Sequence, residues 1–214
     1  MTESDAPLSP QAVKYPGLNL GAAHGEADKA AGTMLFGFWV FLMSDAILFG
    51  MVFATYVTSV SATAGGPGPR DLYSIESAFI GTLLLLASSF TFGMASLALK
   101  YKHGKARLTG WMALTLVLGV AFLGLELHDF GSMFAKGGGP SRSGFLSAFF
   151  ELVPLHGLHV AAGCLWLLAL FGQIARYGLD TKTKLGIMRL ALFWHFLDIV
   201  WIAIFSVVYL AGLA

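Results

Sequence analysis

Charge is what this sequence most conspicuously lacks. Asp, Glu, Lys and Arg make up 12% of its 214 residues, where a soluble domain carries roughly a quarter. Apolar residues make up 57% and the mean hydropathy is +0.74, so the chain is matched to a bilayer rather than to water. A formal net charge of +1 excludes the clustered basic footprint that nucleic acid binding requires. Cysteine is nearly absent too. Cys164 stands alone inside an apolar run, which excludes an internal disulfide and leaves no C-x-x-C-H for c-type haem attachment; it reads as a small packing residue. Long alternating polar and apolar runs are missing, which excludes a membrane barrel, whose strands need only about ten such residues. A cleavable signal peptide is not expected, because the first apolar run begins only near Thr33, behind a polar stretch holding Pro7, Pro10 and Pro16.

What is present is a set of long apolar runs. Crossing about 30 Å of hydrocarbon takes roughly 20 helical residues, and five stretches qualify: 33–58, 75–99, 109–130, 144–174 and 187–212. The expected fold is therefore all-α, a polytopic five-transmembrane-helix bundle over residues 31–214, preceded by a mobile cytoplasmic tail over residues 1–30. The connections are short and rich in breakers, as in Gly65 to Pro69 and Gly137 to Pro140, so consecutive helices should run antiparallel.

Orientation follows from the basic residues of the connections. Lys14, Lys29, Lys100, Lys102, Lys105, Arg107, Arg176, Lys182, Lys184 and Arg189 fall on one side, against Arg70, Lys136 and Arg142 on the other. Ten against three places the N-terminus in the cytoplasm and the C-terminus outside, in the periplasm. Small residues at four-residue spacing, Ala46–Gly50–Ala54 and Gly157–Ala161, are of the kind that lets helices approach closely in lipid, although 26 glycines would also generate such pairs by composition.

The candidate functional residues are the polar groups inside the spans, because an ionised side chain near the bilayer centre costs about 2.5–3.5 kcal/mol on insertion scales. Asp45, His195 and Asp198 fall near mid-membrane. Glu126, His128, Asp129, Glu151 and His156 fall in the outer half, with His159 slightly deeper, and Glu76 opens the second span. These side chains must be protonated, paired, or turned toward protein or water. His156 and His159 are three apart, as are His195 and Asp198, which suits a shared helix face. Hydrogen bonding among the third, fourth and fifth helices, a proton relay, and metal ligation by imidazole are all compatible with these spacings, though no HxxxH or ExxH accompanies them. For Asp45, a buried neutral carboxyl and a hydrogen bond to a neighbouring helix are the two readings. Trp194 and Trp201, seven apart, should pack against a partner helix.

The segments FGFWVFLMSDAILFGMVFATY (36–56), SGFLSAFFELVPLHGLHVAAG (143–163) and LFWHFLDIVWIAIFSVVYLAG (192–212) resemble subunit III of the haem–copper oxidases and, within that family, the cytochrome o-type ubiquinol oxidase branch. The resemblance implies a non-redox core subunit of a proton-pumping terminal quinol oxidase in the bacterial inner membrane. Its partners would be subunit I, which holds two haems and copper, subunits II and IV, and structural phospholipid. It would support assembly, proton uptake and turnover stability without a catalytic residue, cofactor or metal of its own. Four histidines within the spans are too few to ligate two haems and a copper. In the mitochondrial branch a glutamate with known carbodiimide reactivity stands where Asp45 is found, and two leading helices are absent here, so that reactivity and that branch's lipid contacts do not transfer directly. A stand-alone proton-coupled transporter is the alternative, weakened by the absence of an internal repeat; a membrane di-metal enzyme would rest only on the HxxH and nearby acids.

Overall fold

The computed structural model describes residues 24–101 and 104–213; most of the expected tail, residues 1–23, lies outside the described residues. Five long helices carry the fold: α1 (His24–Ser59), α2 (Ile75–Lys100), α3 (Lys105–Ala135), α4 (Gly144–Tyr177) and α5 (Thr181–Ile204). All five are long and apolar enough to cross a membrane, the apolar stretches being Ala31–Ser59, Ile75–Lys100, Lys105–Ala135, Gly144–Tyr177 and Thr181–Leu210. There is no strand among the described residues. A single turn, Pro69–Leu72, precedes α2, and α5 runs on through a π-helical segment, Phe205–Leu210, into a last turn, Ala211–Leu213. α1 starts within the stretch assigned to the tail. Extending an existing helix through HGEADKAA adds one bond per residue fixed and needs no new nucleus.

The helix ends are made by side chains suited to them. Ser74 accepts from the Ser77 N–H at the start of α2, Ser143 from the Leu146 N–H at 3.2 Å for α4, and Asp180 from the Thr183 N–H at 2.8 Å for α5, each satisfying one orphan donor of a first turn. The Thr183 hydrogen bonds hold the Asp180 carboxyl below the ordinary carboxylate range. α3 closes with the Gly138 N–H on the Met133 carbonyl at 2.9 Å and the Gly137 N–H on the Phe134 carbonyl at 3.0 Å. Gly137 takes φ +76°, the left-handed position that this closing motif requires.

Side-chain pairs define the packing directions. Ser77 early in α2 meets Asp129 late in α3, and Thr91 meets Thr115 at 2.8 Å, so these helices are antiparallel. His156 early in α4 meets the Leu197 carbonyl late in α5, and Leu170 crowds Gly186, with the same result. α5 packs on both α2 and α4, while α1 lies against α4 and α5 on the outside of the bundle. The core is aromatic and aliphatic, with Phe49, Phe92, Phe122, Phe145, Phe149 and Trp194 almost fully enclosed.

The small-residue stripe of α1 departs from the expected use. Ala54 is exposed, Ala46 half-buried, and a Cβ on Gly50 would meet nothing within 4 Å. Small side chains permit close approach without specifying a partner, and within this chain that face is uncovered. Gly157 instead packs hard, against the Glu126 carboxyl of α3.

One hydrogen bond ties the far end of α1 to the turn before α2. The Tyr56 and Tyr73 hydroxyls meet at 3.1 Å, both residues being buried, and burial raises the Tyr73 hydroxyl well above the usual phenol range. Either single Tyr→Phe change strands one buried hydroxyl and should cost about 1–3 kcal/mol. The double change strands none and should cost less than either single one. Thermal unfolding of the three variants in detergent tests this; equal and additive losses contradict it.

Candidate functional site

Three of the acids within the spans, Asp45, Glu126 and Asp198, face inward. The side chains of Asp45 and Asp198 are 11% and 8% exposed, and Glu126 is 8% exposed overall. They occupy three separate settings, each joining two or more helices.

The first joins α1 to α4. Asp45 Oδ2 lies 3.4 Å from His159 Nε2, while His159 Nδ1 donates to the Leu155 carbonyl at 2.7 Å. A carbonyl only accepts, so Nδ1 carries a hydrogen. Nε2 and Oδ2 therefore face each other across a close polar contact, and Oδ2 is buried with no hydrogen-bond partner among the described residues. Phe49, at 5.2 Å between ring centroids, and Phe193, at 6.4 Å, flank the imidazole and keep the site apolar.

The second joins α2 to α5 and contains the expected local pair. His195 Nδ1 is 3.8 Å from Asp198 Oδ2 and 2.8 Å from the Ser89 hydroxyl. Both partners address the same ring nitrogen, so this Ser–His–Asp set lacks the relay through opposite nitrogens on which hydrolytic triads depend. Neither Asp198 oxygen has a hydrogen-bond partner among the described residues.

The third lies at the other end of α3. Glu126 presses on Gly157 and, with Ser77, Asp129, Trp201 and Tyr209, lines a narrow cleft with room for little more than a water molecule. Ser77 donates to Asp129. Glu126 Oε1 is buried without a partner.

His156 and His159 share a face only loosely and serve different neighbours. His156 is fully buried between Phe122 and Trp201, and its Nε2–H donates to the Leu197 carbonyl at 3.2 Å. Two candidates are not drawn inward. His128 is 80% exposed, 3.6 Å from Asp129, and Glu151 is exposed. Helical geometry explains both: His128 sits about 160° around α3 from Glu126, and Glu151 about 140° around α4 from His156. Among the described residues, no three His, Cys, Asp or Glu side chains gather closely enough to hold a metal ion.

The polar residues that sequence reasoning passed over are hydroxyls of α2. Ser88 accepts from Trp194 Nε1 at 3.0 Å and Thr82 from Trp201 Nε1 at 3.0 Å. The helix expected to receive the two tryptophans is therefore α2 of the same chain. Seven residues between the tryptophans match six between the hydroxyls on an antiparallel neighbour, a signal visible only once the pairing of helices is known.

A family model described as cytochrome c oxidase subunit III matches residues 19–213. The chain is 48% identical over 193 residues to the cytochrome bo(3) ubiquinol oxidase subunit 3 of Pseudomonas aeruginosa, covering 90% of this chain and 92% of that protein. It is 40% identical over 182 residues to the quinol oxidase subunit 3 of Bacillus subtilis, covering 84% and 87%. It is also 42% identical over 177 residues to the cytochrome c oxidase subunit 3 of Alkalihalophilus pseudofirmus, covering 82% and 85%.

Proposed function

The chain belongs to the cytochrome c oxidase subunit III family of the haem–copper oxidases, and from that premise we propose that it is the non-redox third core subunit of a proton-pumping terminal quinol oxidase. It sits in the bacterial inner membrane with its N-terminus in the cytoplasm, as the distribution of Lys and Arg dictates. Its partners are subunit I, which carries the haems and copper, and subunits II and IV. Its role is to support assembly, lipid retention, proton uptake and turnover stability of that complex.

The observation that carries this reading is the disposition of the four histidines within the spans. His159 is committed to Leu155 and Asp45, His156 to Leu197, and His195 to Ser89, while His128 lies on the outer surface. His156, His159 and His195 act as fasteners between helices. The apolar faces left open, among them Phe36, Ile47, Met51, Phe90, Val117, Leu158 and Ile199, each between 62% and 68% exposed, give ample surface for lipid and for neighbouring subunits.

The test compares the purified oxidase with and without this chain. The complex lacking it should keep its haem spectrum and initial quinol-dependent oxygen consumption, but lose activity sooner during turnover. Stoichiometric haem binding by the isolated chain, or unaided proton transport after its reconstitution, overturns the reading.

A further inference from the structure

The narrow cleft beside Glu126 is walled by the carboxyl groups of Glu126 and Asp129, the hydroxyls of Ser77 and Tyr209, and the rings of Phe122 and Trp201. We propose that it is a binding site for one ordered water molecule, held between the two carboxyl groups of α3 and the two hydroxyls, and that this water fastens α3 to α2 and to the π-helical continuation of α5. The inference depends on the side chains of this chain alone, so it stands or falls apart from the reading as an oxidase subunit, which names no such ligand.

Three observations point to that ligand. Glu126 is enclosed, yet its Oε1 has no hydrogen-bond partner among the described residues. Leaving a buried carboxyl in that state costs more than an ordinary hydrogen bond returns, and a partner from outside the chain removes the cost. The walls are also short of donors. Glu126 and Asp129 present four carboxyl oxygens, while the Ser77 hydrogen is given to Asp129 and the Trp201 N–H to Thr82. One water brings two donors and accepts in return, and a few converging polar groups are what an internal water needs. The size agrees, since the space takes little more than one such molecule.

Position supplies the water. Ser77 lies in the first turn of α2 and Tyr209 in the π-helical segment beyond α5, so the cleft lies near helix ends and not at mid-span. Asp129, on its wall, is 24% exposed and stands 3.6 Å from His128, itself exposed, which leaves a way in. The π-helical segment, an irregularity that recurs at functional sites, carries Tyr209, whose ring stands 6.3 Å from that of Trp201. A metal ion fits less well. Two carboxyl groups converge here, and among the described residues no third His, Cys, Asp or Glu joins them to complete a ligand set.

The experiment images the intact complex by electron cryomicroscopy, at a resolution that shows ordered water, for the wild type and Gly81→Ala. Gly81 lines the cleft, and a Cβ there meets Phe122 at 3.4 Å and Trp201 at 3.6 Å. These are ordinary contacts, so the methyl enters without moving the walls and takes the water's space. The wild type should show one density within hydrogen-bonding distance of Glu126, and Gly81→Ala should lack it. A wild-type cleft without that density overturns the proposal. So does a density that disappears when sodium in the buffer is replaced by choline, which makes the occupant a cation. Unfolding in denaturing detergent gives a second readout. Gly81→Ala should unfold about tenfold faster, the effect of stranding one buried polar group. In the Glu126→Met background, where the buried carboxyl is gone, the same change should alter the rate by no more than about twofold. An equal effect in both backgrounds marks simple overpacking and overturns the proposal.

Discussion

Replacing Trp194 by alanine should destabilise the bundle more than any other single apolar truncation, by about 3–5 kcal/mol. Trp194 is 2% exposed and touches every neighbour of α5 except α1. Its indole donates to Ser88 of α2 and meets the Phe92 ring edge-on at 6.1 Å. The same ring fills the space that side chains on Gly119 of α3 and Gly163 of α4 would need: a Cβ there would come within 2.9 Å and 3.0 Å of it. The two glycines are the slot and Trp194 the wedge. In lipid, where burial of apolar surface gives no net drive between helices, such close packing is what holds them together.

The phenylalanine variant separates the wedge from its hydrogen bond. Trp194→Phe keeps a ring in the slot and gives up the indole donor, so it should lose only about 1 kcal/mol beyond its smaller volume; Ser88 keeps its bond to the Leu85 carbonyl at 2.7 Å. Gly119→Ala in the wild type should cost about 1–3 kcal/mol through overpacking. The same change in the Trp194→Ala background should cost less, because only Cys164 Sγ, at 3.1 Å, remains in the way. Unfolding in mixed micelles titrated with denaturing detergent measures all four variants. A Gly119→Ala penalty that stays undiminished after Trp194 is truncated would show that the ring does not fill this slot.

How far the sequence leads differs between the helices and the contacts between them. The five spans could be read because each must be apolar over a bilayer's thickness, a property of consecutive residues. Their ends were read less well where the helix outruns the hydrocarbon. Lys105 to Thr109 is helical yet too polar for the apolar run expected from 109, and the last helix begins at Thr181 and not near 187. The His195–Asp198 contact was legible because it lies within one turn. The link between Asp45 and His159 was not, since nothing in the order of the spans says that α1 lies against α4. Ser88, Ser89 and Thr82 went unnoticed for the same reason: a hydroxyl in an apolar run can bond its own helix, as Thr82 also does to the Ala78 carbonyl, and only a facing Trp or His gives it a second use. Gly157 was read as a small helix-packing residue, but that its neighbour is a carboxyl group could not be read from spacing.

The Asp45–His159 pair should give the second large effect, and its pattern follows from which polar atoms each change strands. His159→Leu leaves a carboxyl buried in apolar surroundings without a partner, and should cost about 3–5 kcal/mol, as when one member of a buried pair is removed. Asp45→Leu leaves a neutral imidazole still bonded to Leu155 through Nδ1, with only Nε2 unsatisfied, and should cost about 1–3 kcal/mol. Asp45→Asn should lie close to the wild type, since the amide N–H can donate to Nε2. The double variant Asp45→Leu with His159→Leu should be more stable than His159→Leu alone, because no orphaned polar group remains. The order follows from which atoms are stranded, so a cycle in which the two leucine changes simply add would refute an energetic coupling between the two side chains. The consequence falls chiefly on α1, the span least buried by the rest of the chain, with 17% of its apolar window enclosed. This pair at mid-span and Tyr56–Tyr73 at its end are two of its polar attachments, so losing the pair should loosen α1 from α4 more than it loosens the other helices from one another.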